Sequence, residues 1–109
     1  MKQIIIAFDV DGTIYGNSLG SNVNGSSMNL EVVHLMILLK KHIRNSRIIV
    51  WSGGGKNYAE SIVNKFGLTQ YVDGVYDKHK YEESLYGEVD IAFDDEQSFA
   101  LAHKNLIVR

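Results

Sequence analysis

The sequence contains no cysteine and no proline. Without cysteine there are no disulfides, no thiolate metal ligands and no cysteine nucleophile, which fits a reducing compartment; the cytoplasm is the expected location. Without proline, the ten glycines are the main source of unusual backbone freedom. Charge of one sign is also scarce. No Lys or Arg occurs between Lys2 and Lys40, and 11 basic against 13 acidic residues give a net charge of -2. An extended nucleic-acid groove needs cationic contacts to phosphates, so none is expected. Long apolar runs are missing too. Leu35 to Leu39 falls far below the roughly 20 residues of a spanning helix, and no membrane partner is expected. The run from Ile4 to Phe8 stops at Asp9, too soon for a signal-peptide core.

What is present is ordinary globular composition, 45% hydrophobic and 22% charged over 109 residues, and it predicts one domain over 1–109. Strands are expected at Gln3 to Phe8, Arg47 to Trp51, Val72 to Tyr76, Val89 to Phe93 and Leu106 to Val108. Helices are expected at Leu30 to Ile43, Tyr58 to Phe66, Tyr81 to Tyr86 and Gln97 to His103, with Gly67 and Gly87 as stops. The first of these helices is apolar nearly all round, which predicts a well-buried element. Tyr15 to Asn29, rich in Gly, Ser and Asn, reads as a loop or hairpin. Alternating strands and helices predict an α/β fold: a three-layer, Rossmann-like parallel sheet with helices on both faces.

In such sheets ligands bind at the carboxyl ends of the strands. Four of the seven aspartates fall there: Asp9 and Asp11 after the first strand, Asp94 and Asp95 after the fourth. Ser52 follows the second strand and leads into Gly53, Gly54 and Gly55; Lys78 follows the third. Clustered carboxylates need a compensating cation, and hard oxygen ligands without thiolates suit Mg²⁺. A glycine-rich turn opening a helix suits a phosphate group. Carboxylates, a phosphate cradle and a lysine together point to phosphoryl chemistry.

The ordered set resembles the haloacid dehalogenase-like phosphohydrolases. Asp9-Val10-Asp11-Gly12-Thr13 is similar to their first motif, Ser52 to the second, Lys78 or Lys80 to the third and Asp94-Asp95 to the fourth. The resemblance implies that Asp9 is the nucleophile and forms an aspartyl-phosphate. Asp11 would be the general acid and then the base. Gly12 would turn the chain sharply, and Thr13 would brace that turn by hydrogen bonding. Mg²⁺ would be held by the Asp9 carboxylate, the Asp11 backbone carbonyl and Asp95. Ser52, Gly53, Gly54 and Lys78 would contact the phosphoryl oxygens, and Asp94 would position the lysine or a metal-bound water. Lys78 directly follows the third strand and is preferred over Lys80, which should point outward.

Other polar residues have plainer readings. Lys56 is read as a solvated first-turn residue, Glu96 as either an early-helix acid or a neighbour of the site. His34, His42, His79 and His103 lack metal-ligand spacing; His103 should close a helix C-terminus. Trp51 and Phe93 are expected in the core.

Family members often carry a cap domain after the first motif or between the second and third. Neither Thr13 to Ser52 nor Ser52 to Lys78 leaves room for one, so a capless core with a flap over 15–27 is expected. The implied activity is a Mg²⁺-dependent phosphomonoester phosphatase on an open site. Its substrate would be a phosphorylated small molecule or a macromolecular end, with water excluded by the flap, the substrate or a neighbouring subunit. A phosphotransferase using the same residues is the related alternative. A receiver-like signalling module is the other, although there the paired acids precede the lysine by most of the chain.

Overall fold

The computed structural model describes residues 3–16, 28–95 and 102–108. They form an α/β fold around a five-stranded, all-parallel sheet in the order β3-β2-β1-β4-β5. The strands are β1 (Ile4–Asp9), β2 (Ser46–Ser52), β3 (Gly74–Asp77), β4 (Ile91–Asp94) and β5 (Lys104–Ile107). The helices are α1 (Leu30–His42), α2 (Lys56–Lys65) and the short α3 (Glu83–Tyr86), with a 3₁₀ turn at Lys78–Lys80.

Period-two alternation along β1 builds two cores. Ile6 and Phe8 join Ile48, Val50 and Phe93 under α1 and α2, while Ile5 and Ala7 join Ile49, Trp51 and Ala92 on the opposite face, beneath Tyr76 and Tyr81. Burying one such isoleucine contributes about 2 kcal/mol, so Ile48→Ala would be among the costliest single changes. Phe8 and Phe93 stack across neighbouring strands, ring centroids 4.9 Å apart. Trp51 and Phe93 are thus core residues.

Each helix has local reasons to begin and end. Asn29 caps α1 by accepting a hydrogen bond from the Val32 amide. After α2, Gly67 takes a left-handed φ of 67°, and the amides of Leu68 and Gly67 donate to the carbonyls of Val63 and Asn64. That paired closure is the Schellman arrangement, and glycine fits it without a Cβ penalty.

β5 begins two residues before the expected start, at Lys104, and α3 two after, at Glu83. Two strands start late for one shared reason: β3 begins at Gly74 and β4 at Ile91, each two residues late. In front of each stands an aspartate whose side chain substitutes for ladder pairing: Asp73 Oδ2 accepts the Ile48 amide and Asp90 Oδ2 accepts the Ile5 amide, both at 2.9 Å. A further difference concerns α1. Only Val32, Val33 and Met36 are fully buried, and Leu30 and Leu38 are more than half exposed. An outer helix can press only one stripe onto a sheet, whatever its other side carries. The expected helix over 97–103 falls largely outside the described residues; Ala102 and His103 form a bend, and His103 pairs with Glu88 at 2.9 Å. Of the expected flap, the roots are described: Tyr15 and Met28 form an antiparallel bridge, and the Tyr15 ring packs edge-on against Phe66.

The topology locates the site. From β1 the chain steps outward to β2 and β3 through α1 and α2 on one face, then crosses back to β4 on the far side of β1. Right-handed crossovers require that the return run over the opposite face. The strand order therefore reverses between β1 and β4, and a crevice opens at their carboxyl ends.

Among the described residues, no helix is long and apolar enough to cross a membrane.

Candidate active site

The register brings the acids together. Phe8 pairs with Phe93, so the next residues, Asp9 and Asp94, end adjacent strands side by side. Lys78 reaches them from the first position after β3. Asp77 fixes that turn by accepting the His79 amide at 2.9 Å. The Lys78 ammonium donates to Asp9 Oδ1 at 3.1 Å and to Asp94 Oδ2 at 2.5 Å. All three residues are buried, as is Ser52. Lys80, two residues on, is exposed and lines a different cleft. The 3₁₀ turn separates the two lysines' directions, so only Lys78 meets the carboxylates.

One ammonium is too little for this much buried negative charge. Burial, with the nearby charge of Asp94 adding to it, pushes the Asp9 carboxyl up to about 7 against the opposing pull of Lys78. Burial also works against the Lys78 ammonium, but its hydrogen bond to Asp94 and the charge of Asp9 outweigh this and raise it above its ordinary value.

Asp95 completes the acidic group. Carboxylate oxygens of Asp9, Asp94 and Asp95 all lie within 4.8 Å of one another. Its approach depends on Gly12, which has φ 80°. A Cβ at that position would stand 2.1 Å from Asp95 Oδ2. Gly12 thus serves the turn after β1 and leaves the space Asp95 occupies. The turn itself is closed by backbone bonds, from the Thr13 and Tyr15 amides to the Val10 carbonyl. Thr13 thus braces the turn through its backbone amide, while its buried hydroxyl has no hydrogen-bond partner among the described residues.

After β2, Ser52 organises the glycine turn. Its Oγ accepts the Gly54 amide at 3.0 Å and its carbonyl accepts the Gly55 amide at 3.2 Å. Those amides are therefore engaged within the turn, while the Ser52 hydroxyl proton remains available to donate. Asp9, Asp11, Ser52, Gly53, Gly54, Lys78, Asp94 and Asp95 line one open pocket of about 290 Å³. A larger cleft of about 830 Å³ runs along the edge of β3 beside the start of α2 and meets this pocket at Gly54; Lys56 and Lys80 line it.

Asp11 departs from the acidic group. Its carboxylate is held by Tyr58, whose hydroxyl donates to Asp11 Oδ1 at 2.5 Å. Partial burial, reinforced by this bond to Asp11, raises the Tyr58 phenol. Sequence reasoning placed Tyr58 only as a helix residue. Nothing in its neighbours marks it, because the contact spans 47 positions. His79, which the sequence puts near the site between two lysines, has its Nε2 3.1 Å from where a Gly53 Cβ would sit. Glu96 lies outside the described residues.

The chain matches no family model, no curated protein and no solved structure.

Proposed function

We propose that this chain is a Mg²⁺-dependent phosphomonoesterase of the haloacid dehalogenase-like kind, working in the cytoplasm through an aspartyl-phosphate on Asp9. In this reading the sheet is the middle layer of a three-layer, Rossmann-like core without a cap. The observation that carries it is the convergence of Asp9, Asp11, Ser52, Lys78, Asp94 and Asp95 on one pocket, with Lys78 bridging Asp9 and Asp94.

The donor set supports a hard divalent cation. Three carboxylates supply oxygens within 4.8 Å, no thiolate is present, and the raised Asp9 carboxyl marks a deficit of positive charge. Asp9 and Asp95 would hold Mg²⁺ together with the Asp11 main-chain carbonyl, and Asp94 stands within reach. When bound, Mg²⁺ would supply the charge that keeps Asp9 anionic and would draw negative charge off the phosphoryl oxygens.

The chain's own groups carry the rest. An Asp9 carboxylate oxygen attacks phosphorus in line, and the bond from phosphorus to the leaving oxygen breaks. Asp11 gives its proton to that oxygen. Ser52, with its Oγ already accepting from Gly54, donates its own proton to a phosphoryl oxygen, and Lys78 holds a second. Water then attacks phosphorus while Asp11 takes a proton from it; the bond from Asp9 to phosphorus breaks, inorganic phosphate leaves and the Asp9 carboxylate is regenerated. The rest of the substrate, a phosphorylated small molecule or a macromolecular end, extends toward the cleft that opens at Gly54. The flap, the substrate or a second subunit excludes water.

The test is turnover of phosphometabolites, phosphopeptides and phosphorylated oligonucleotides with Mg²⁺ and with EDTA, for wild type and Asp9→Asn. Hydrolysis that needs both Mg²⁺ and Asp9 is expected. Absence of turnover on the whole panel would sink the reading. Rapid labelling by a small phosphodonor, with a phosphoprotein lasting minutes and no turnover, would instead favour a receiver-like module.

A further inference from the structure

The Asp11 carboxylate has one hydrogen bond among the described side chains, and it comes from Tyr58. Three features make that contact more than incidental. Tyr58 stands in the first turn of α2, directly behind the Ser52 turn, so one short segment carries both the hydroxyl at Ser52 and the phenol. The ring lies over the glycine turn, in space that a side chain at position 54 would contest: a Cβ on Gly54 would meet its Cδ2 at 3.2 Å. And Asp11 itself is exposed, on a turn outside the buried group of Asp9, Lys78 and Asp94. An exposed carboxylate on a turn samples several rotamers unless something holds it.

We propose that Tyr58 is the positioning residue for Asp11: its hydroxyl engages Oδ1, fixes the carboxyl rotamer, and assigns Oδ2 as the oxygen that gives and takes the catalytic proton. This rests on the phosphomonoesterase reading and adds a residue to it. The bookkeeping of the step follows. Oδ1 accepts from the phenol throughout, so the acid form carries its proton on Oδ2. As the bond from phosphorus to the leaving oxygen breaks, that proton passes to the oxygen along with the bonding pair. In the second half, Oδ2 takes a proton from the attacking water. Tyr58 touches neither substrate nor phosphorus and neither gains nor loses a proton.

Leaving-group dependence is the readout that separates this role from a structural one. A nitrophenolate leaves without protonation, whereas an alkoxide needs the proton in the transition state, and a well-placed acid is worth about 10²–10⁴-fold there. Tyr58→Phe keeps the ring and removes only the hydroxyl. Single-turnover rates of phosphoryl transfer are measured for p-nitrophenyl phosphate and for glycerol 3-phosphate, in wild type, Tyr58→Phe, Asp11→Asn and the double variant, with the Tm of each as a check on folding. Expected for Tyr58→Phe is a loss of about tenfold or more on the alkyl ester, at least fivefold greater than on the aryl ester, with KM little changed. In the Asp11→Asn background the same substitution should have no further effect on the alkyl ester, because the group it positions is gone. Equal losses on both esters, a loss confined to KM, or a full additional loss in the Asp11→Asn background would overturn the role of Tyr58 and leave the phosphomonoesterase reading intact. If glycerol 3-phosphate is not turned over, an alkyl phosphate from the wider panel that is turned over takes its place; a wild-type protein inert on the whole panel would overturn the two together.

Discussion

The Lys78 ammonium stands between the carboxylates of Asp9 and Asp94, 3.1 Å from Oδ1 of the first and 2.5 Å from Oδ2 of the second. Removing it leaves two buried acids facing each other without a cation. Lys78→Ala should therefore cost about 3 kcal/mol of stability at pH 7 and at least a hundredfold in turnover. Lys80→Ala, at an exposed position, should change stability by less than about 0.5 kcal/mol. Urea unfolding and phosphatase assays on the two variants check this pair. Equal effects would mean that the buried ion pairs do not hold in solution.

The charge deficit has a pH signature. Without a metal, burial pushes the folded Asp9 carboxyl up to about 7, from 3.8 for an unperturbed aspartate. Between those values the folded form keeps a proton that the unfolded form has lost. Stability contributed by this group therefore falls as pH rises from about 4 to about 7. Asp9→Asn cannot ionise, so in EDTA at pH 8 it should melt about 5 °C higher than wild type, and the difference should vanish near pH 4. A scan of Tm against pH for both proteins tests it. A wild type as stable as the variant at pH 8 would contradict the burial of an unbalanced carboxylate.

Gly12 carries a different load. Alanine there brings both an unfavourable φ of 80° and a Cβ 2.1 Å from Asp95 Oδ2. Asp95 must move, which takes one carboxylate out of the acidic group. Gly12→Ala should weaken Mg²⁺ binding by about tenfold or more, on the scale of losing a ligand's proper placement. Mg²⁺ titration followed by Tm or calorimetry measures this directly. An unchanged Kd would remove Asp95 from the metal site.

At the opposite end of the sheet, Asp73 accepts the Ile48 amide at 2.9 Å and pairs with Lys40 at 2.6 Å. Asp73→Asn keeps an acceptor for the amide and loses only the half-exposed ion pair, so it should cost less than about 1 kcal/mol. Asp73→Ala strands the amide of a central strand and should cost about 1–3 kcal/mol. Chemical denaturation of the two variants separates backbone satisfaction from ion pairing.

The strands and α1 were legible in the sequence because β-branched runs and apolar residues at helical spacing are local signals. So was the convergence of Asp9, Ser52, Lys78 and Asp94, since residues at the carboxyl ends of parallel strands share one edge of the sheet. What sequence could not carry was direction. Asp73 and Asp90 also border strands, yet they sit at the amino ends and serve the backbone. The apolar sequence of α1 held no sign that half its surface faces solvent. Tyr58 was invisible for a plainer reason: its partner lies a full crossover away.

The crossing of the chain from β3 back to β4 has a kinetic consequence. Lys78 and Asp9 meet over a separation of 69 residues, and Asp94 joins them only when β4 has inserted beside β1. A partly folded chain with β1, α1, β2, α2 and β3 assembled would possess most of the hydrophobic core under those helices and none of the completed site. High contact order of this kind slows the final docking. Recovery of the proposed Mg²⁺ binding during refolding should therefore lag recovery of helical signal.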